Sequence, residues 1–149
     1  MCIRDRYVLV TNHTTHLSRV AVETLSGGVY TQTTPITGLP AAVYGIAVDS
    51  TGNLYITGDN VVTRETLSAG SYTPSTVGSG LGSGGSGIGN FVAVDPSGAL
   101  YVSDLNGSVV FKLTPDGIGG YTPVSYTHLD VYKRQAPPPC TPGPSPSIG

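Results

Sequence analysis

The chain has 149 residues, a formal net charge of −2 and 38% hydrophobic residues, which suits one soluble domain of ordinary size. Its 21 glycines and 12 prolines indicate many turns. No apolar run approaches the roughly 18 residues that a membrane-spanning helix needs. Composition therefore excludes such a helix within this sequence and favours a β-rich, turn-rich protein.

Two segments of the chain resemble translated reagent DNA. Residues 1–5 and 130–135 can be encoded in two reading frames of one string, GATGTGTATAAGAGACAG. Residues 124–129 can be encoded by a string that begins with the reverse complement of its first sixteen bases. This inverted repeat resembles the transposase end used to prepare sequencing libraries. We therefore predict that residues 1–6 and 124–135 are adapter sequence; the alternative is a natural basic tail with a coincidental start.

The remaining body, residues 7–123, contains three basic and seven acidic residues, a net charge of −4. Scattered bases on an acidic body give no electrostatic footprint for nucleic acid, so we expect no nucleic-acid partner. The body has no cysteine, because Cys2 and Cys140 lie outside it. Residues 136–149 are a proline-rich tail, either an extended linker or out-of-frame translation.

The first strands of the body are predicted by alternation of apolar and polar residues. Residues 7–11 align with residues 53–57, so we expect the body to begin partway through a repeat, without the first strand of that repeat. Residues 19–23 alternate as a half-buried strand does. A hairpin follows over residues 23–31, where Gly27 and Gly28 are free to adopt positive φ.

An internal repeat organises the rest of the body. Residues 46–57 recur as residues 92–103, with six of twelve positions identical. Each copy begins a unit for which we predict four short antiparallel strands. The strands are expected over residues 44–49, 53–57, 61–67 and 72–77 in one unit, and over 91–95, 99–103, 109–114 and 120–123 in the next.

A tight turn is predicted between the first two strands of both units. Asp49 and Asp95 begin the turns and can accept hydrogen bonds from nearby backbone N–H groups, while Gly52 and Gly98 supply the left-handed residue. Their matching placement favours turn formation over paired carboxylates of a hydrolase. Within the preceding strand, alternation places Ile46 and Ala47 on opposite faces.

Units of four antiparallel strands and 40–50 residues are typical of propeller blades. Residues 45–56, GIAVDSTGNLYI, resemble the core motif of the NHL-repeat family, and the resemblance covers nearly all of residues 7–123. It implies an all-β fold with about two and a half four-stranded antiparallel blades of an incomplete β-propeller.

Other candidate sites have simpler structural interpretations. His13 and His16 would offer two imidazoles to a metal, but two ligands in a short loop are not a site. Residues 80–85 match G-x-G-x-x-G without a helix pattern after them, which favours an inter-blade loop over dinucleotide binding. Asn12 and Asn106 begin glycosylation-acceptor patterns, which are frequent by chance.

Three tyrosines, Tyr30, Tyr72 and Tyr121, occupy equivalent positions in the fourth strands. We expect them to pack between blades, with a ligand-facing ring as the alternative. In total, the sequence leads us to assign no catalytic, no cofactor-binding and no metal-binding residue.

The leading functional hypothesis is a non-catalytic binding or scaffold module of an exported bacterial NHL-type propeller, present here as a fragment. Its partner would be a protein or carbohydrate ligand, and its location extracytoplasmic. One alternative is part of a propeller lyase that resembles streptogramin lyases, with its active-site residues on other blades. Another is the sensor domain of a receptor kinase.

Overall fold

A computed structural model describes residues 5–12, 14–15, 17–40, 43–58, 61–79, 81, 89–104 and 107–126. These residues form eleven β-strands in three antiparallel sheets, and no helix lies among them. The first sheet contains β1 (Asp5–Asn12), β2 (Leu17–Ser26) and β3 (Val29–Pro40). The middle sheet contains β4 (Val43–Val48), β5 (Leu54–Gly58), β6 (Val61–Ser68) and β7 (Ser71–Ser79). The third sheet contains β8 (Gly89–Val94), β9 (Leu100–Asp104), β10 (Val109–Pro115) and β11 (Tyr121–Tyr126).

Each sheet is an up-and-down meander in which consecutive strands are neighbours. The first sheet has three strands and the other two have four each. This arrangement confirms the prediction of an all-β protein made of blade-like units, the first of which has three strands among the described residues. The predicted glycine hairpin is also confirmed, because Gly27 and Gly28 join β2 to β3 with φ of 59° and 82°.

The two outermost strands take in residues that we predict to be adapter sequence. β1 begins at Asp5, and β11 continues to Tyr126. Pairing of these residues does not bear on their origin, because a backbone of almost any sequence can extend a strand beside an unpaired edge. The remainder of both predicted segments, and the proline-rich tail, lie outside the described residues.

The middle sheet buries apolar side chains on both of its faces. Ile46 on β4 packs in the cluster against the first sheet, whereas its neighbour Ala47 packs in the cluster against the third sheet. The same alternation continues on β5, where Leu54 faces the first sheet and Tyr55 the third. The predicted opposition of Ile46 and Ala47 is thus confirmed, and it makes this sheet the centre of a three-layer stack.

The interface between the middle and third sheets buries the larger of the two apolar clusters. Leu100, Val102 and Leu113 of the third sheet are fully buried against Val62 of the middle sheet. Leu81, from the glycine-rich segment that we expected to be only an inter-blade loop, is also buried there. The chain therefore packs part of this segment into the core.

Gly78 on β7 makes room for Leu113 at this interface. A Cβ atom on Gly78 would lie 2.5 Å from Cδ2 of Leu113 and 3.0 Å from Cδ1 of Leu81. Both leucines are buried, so neither can move away into solvent. The absence of a side chain at position 78 is thus a packing requirement rather than a need for positive φ.

We predict that Gly78→Val lowers the free energy of unfolding by about 1–3 kcal/mol, because the added side chain overpacks this interface. Chemical denaturation measures the change. Leu113→Ala removes the side chain that clashes, so the double variant should be more stable than the sum of the two single changes implies. Strict additivity would show that the two positions do not share this space.

Candidate functional site

The carboxylate of Asp49 organises the turn between β4 and β5. Its Oδ1 atom accepts hydrogen bonds from the backbone N–H groups of Thr51 at 2.9 Å and Asn53 at 3.0 Å, and from the Thr51 hydroxyl at 2.7 Å. Its Oδ2 atom accepts from the Asn53 side chain at 2.9 Å and from the hydroxyl of Tyr55 at 3.1 Å. Gly52, with φ of 87°, closes the turn by donating its N–H to the Asp49 carbonyl. The predicted turn is confirmed, and both carboxylate oxygens are occupied.

The same turn recurs in the third sheet. Oδ1 of Asp95 accepts from the backbone N–H groups of Ser97 at 2.9 Å and Ala99 at 3.0 Å, and Gly98 has a φ of 82°. A further copy joins β10 to β11, where Oδ1 of Asp116 accepts from the N–H groups of Ile118 and Gly120. The sequence analysis missed this copy, although Asp116 and Gly120 have the four-residue spacing of Asp49 and Asn53.

These hydrogen bonds set the protonation of the turn carboxylates. Partial burial of Asp49 raises its pKa, but the hydrogen bonds from Thr51 and Asn53 together outweigh burial and bring the pKa below its usual 3.8. Hydrogen bonds, first from the Ser97 hydroxyl, likewise lower the pKa of Asp95. A general acid needs a raised pKa, so both groups are suited to holding turns rather than to donating protons.

A groove lies between the two aspartate turns of the middle and third sheets. Its volume is about 450 Å³, and one wall comes from residues 48–51 and the other from residues 94–98. Val48 and Pro96 contribute apolar surface, while Ser50 is exposed at the rim. Because consecutive strands of a sheet are antiparallel, this groove lies at the same end of the middle sheet as the hairpin between β6 and β7.

The outer-strand tyrosines of the middle and third sheets pack between sheets, as predicted. The ring of Tyr121 meets Tyr55 edge to face at a centroid distance of 6.5 Å, and their hydroxyl oxygens are 3.2 Å apart. The Tyr72 hydroxyl donates to the carbonyl of Gly52 at 3.3 Å, and burial raises the pKa of Tyr72 to about 12. Tyr30 differs: it is 43% exposed, with the Arg6 guanidinium 4.5 Å from its ring centroid.

Several candidates from the sequence lie outside the described residues. These are His13, His16, Asn106, and residues 80 and 82–88 of the glycine-rich segment. Asn12 is described, and its Oδ1 accepts from the N–H groups of Thr14 and Thr15, so its side chain closes a local turn. Within the described ranges, no group of three or more His, Cys, Asp or Glu side chains could hold a metal ion. The same residues include no helix long and apolar enough to cross a membrane.

Glu65 is a site candidate that the sequence analysis did not identify. It lies on β6, is only 4% exposed, and faces the first sheet beside Leu54. Burial raises the pKa of its carboxyl group above the usual 4.5. The only available signal was the recurrence of the phrase Glu-Thr-Leu-Ser at residues 23–26 and 65–68, which shows repetition but not burial.

Comparison with protein families gives a match to the model described as a beta-propeller repeat (SBBP), over residues 41–59. The matched segment contains β4, the Asp49 turn and β5. Curated proteins give no match. The family match and the blade-like sheets together support a propeller fragment.

We predict that Asp49→Ala lowers the free energy of unfolding by about 1–3 kcal/mol, because it leaves the N–H groups of Thr51 and Asn53 without their acceptor. Asp95→Ala should lower the free energy of unfolding by less. The residue equivalent to Asn53 in that turn is Ala99, which has no side chain to donate a further hydrogen bond to the aspartate. Denaturation of both variants tests this order. Equal losses would show that the Asn53 side chain adds nothing.

The raised pKa of Glu65 predicts an unusual dependence of stability on pH. Between its usual value of 4.5 and the higher value in the folded state, the folded chain binds more protons than the unfolded chain. The free energy of unfolding should therefore fall as pH rises through that interval, whereas Asp49, with a lowered pKa, gives the opposite slope at lower pH. Glu65→Gln should flatten the fall in urea denaturation series from about pH 4 to pH 8. An unchanged slope would contradict the assignment to Glu65.

Proposed function

We propose that the chain is part of a non-catalytic binding or scaffold module, an exported bacterial NHL-type β-propeller. The observation that carries this proposal is the commitment of the repeated turn carboxylates to hydrogen bonds. Asp49, Asp95 and Asp116 each accept from two backbone N–H groups, which leaves them structural. Acidic residues that hold repeated turns give those turns the same shape, and they do not act as reactive groups.

The groove between the Asp49 and Asp95 turns supports a role in binding. It combines apolar surface from Val48 and Pro96 with oxygen atoms of the turns and the exposed Ser50. Concave sites that mix apolar walls with a few polar groups are typical of ligand binding. A hydroxylated ligand, such as a carbohydrate of the bacterial cell wall, matches this surface.

The finer parts of the proposal depend on the sequence. The segment GIAVDSTGNLYI at residues 45–56 supports the NHL type, and the matched propeller repeat overlaps it. The abundance of Thr, Ser and Gly with few charged residues is common in exported bacterial repeat proteins, and it supports an extracytoplasmic location.

Co-sedimentation with purified peptidoglycan sacculi tests the binding role. We expect the chain to sediment with the sacculi and Ser50→Arg to weaken binding about tenfold, a change of about 1.4 kcal/mol. The matched control is Ser71→Arg, which places the same charge on the exposed start of β7, away from the groove.

Two results would contradict the proposal. One is equal binding by both arginine variants, which would show that the groove is not the contact surface. The other is turnover of a streptogramin lactone by a metal-containing preparation of the protein, which would support the lyase hypothesis instead.

A further inference from the structure

A second cleft lies between the first and middle sheets, away from the groove of the hairpin turns. Its volume is about 470 Å³, and its walls come from β3 of the first sheet and from β6 and β7 of the middle sheet. The lining is mixed, with apolar or aromatic side chains from Ile36, Leu39, Tyr72 and Pro74 beside polar ones from Thr37, Thr63 and Glu65. The cleft is large enough for a small organic molecule.

Glu65 contributes the carboxylate of this cleft. Glu65 is only 4% exposed. Within the described part of the chain, no donor makes a hydrogen bond to its carboxylate oxygens and no cation pairs with them. A carboxylate in a largely buried side chain is incompletely hydrated and costly without a partner, although the Glu65 oxygens keep some contact with solvent in the cleft. A group that enters the cleft with a positive charge would remove that cost.

The neighbouring interface shows that an apolar residue fits at this position. Glu65 pairs with Leu54 across β5 and β6, just as Leu113 pairs with Leu100 across β9 and β10, so Glu65 and Leu113 are equivalent. Leu113 fills its interface above Gly78 and has no exposed surface. Ile36 on β3 pairs with Val20 on β2, just as Gly78 on β7 pairs with Val62 on β6, so Ile36 takes the place of Gly78 at the interface between the first and middle sheets. The larger Ile36 and the polar Glu65 together leave a cleft where the second interface is filled.

We propose that this cleft binds a small primary amine, with its alkylammonium group on the Glu65 carboxylate and its hydrocarbon part against Ile36, Leu39 and Pro74. An ammonium supplies the charge and the hydrogen-bond donors that the carboxylate lacks. The Tyr72 ring, at the wall of the cleft, adds an attractive face for a cation. This proposal depends on the cleft that Glu65 lines and does not depend on the groove of the hairpin turns.

Binding of the amine requires an ionised Glu65, so its pH dependence is predictable. The other titratable groups around Tyr72 are Tyr7 and Asp5 on β1, which act on the Tyr72 hydroxyl. That hydroxyl donates to the Gly52 carbonyl, so its proton is not directed to the Glu65 carboxylate. Affinity should rise with pH through the raised pKa of Glu65 and then level off.

Titration of the ¹⁵N-labelled 149-residue chain with n-butylammonium, followed by backbone amide shifts, tests the proposal. We expect saturable shifts at β3, β6 and β7, and a loss of affinity of about tenfold or more in Glu65→Gln. n-Butanol and butyrate, which share the hydrocarbon chain without its positive charge, should not compete. Glu23→Gln is the matched control, because Glu23 lies on the first sheet outside the cleft, is partly exposed and has Arg6 at 3.9 Å, so its change should leave binding unchanged.

Glu65→Leu is a second variant, which places at position 65 the residue that the chain has at the equivalent Leu113. It should fold, and its unfolding temperature should be at least that of the wild type. It should not bind the amine. Equal affinity in Glu65→Gln, equal binding of butanol, or the absence of saturable shifts would each overturn the proposal. Ser50→Arg separates the two sites: loss of binding to sacculi with amine binding retained would bear on the groove alone.

Discussion

The structure depends on one constraint, which is that a blade-like sheet with two apolar faces must cover both. The middle sheet satisfies this constraint because alternate residues of β4 and β5 pack on different neighbours. Leu54 has no exposed surface on the side of the first sheet, and Tyr55 is buried on the side of the third. The three sheets therefore stabilise one another as layers, as expected for stacked repeats.

The hairpin turns belong to the same system of interactions. The Asp49 carboxylate holds the backbone of its turn and accepts from Tyr55, whose hydroxyl is in turn 3.2 Å from that of Tyr121 in the next sheet. Burial raises the pKa of Tyr55, so the phenol stays protonated and can remain a donor. One chain of contacts thus connects a turn, an inner strand and the neighbouring blade. Because such contacts occupy the carboxylate oxygens, the repeated aspartates offer no free carboxylate for chemistry.

Local sequence was sufficient to predict features that local interactions determine. The strands followed from alternation, and the turns at Asp49 and Asp95 followed from an aspartate at the start and a glycine three residues later. The hydrogen bonds that the Asp49 carboxylate accepts come from residues at most six positions away, so no distant contact was needed to predict them.

Features that depend on a neighbouring sheet were not predictable in this way. The phrase Glu-Thr-Leu-Ser occurs twice, beginning once at Glu23 and once at Glu65. Glu65 is nevertheless buried, while Glu23 keeps contact with solvent. The difference comes from β3 of the first sheet, which covers Glu65 from a distant part of the sequence. Leu81 is a similar case, since its glycine-rich surroundings indicated a loop while the third sheet supplied a buried position for its side chain.

Native-state hydrogen exchange of the 149-residue chain and its Leu100→Ala variant tests the central claim that the sheets form one cooperative stack. Leu100 lies on β9 without exposed surface and packs in the cluster shared with the middle sheet. We predict that its truncation speeds exchange in β5 and β6 as well as in β9 and β10, because both sheets lose the same interface. Faster exchange confined to β8–β11 would show that each sheet is stable independently, and it would contradict this account.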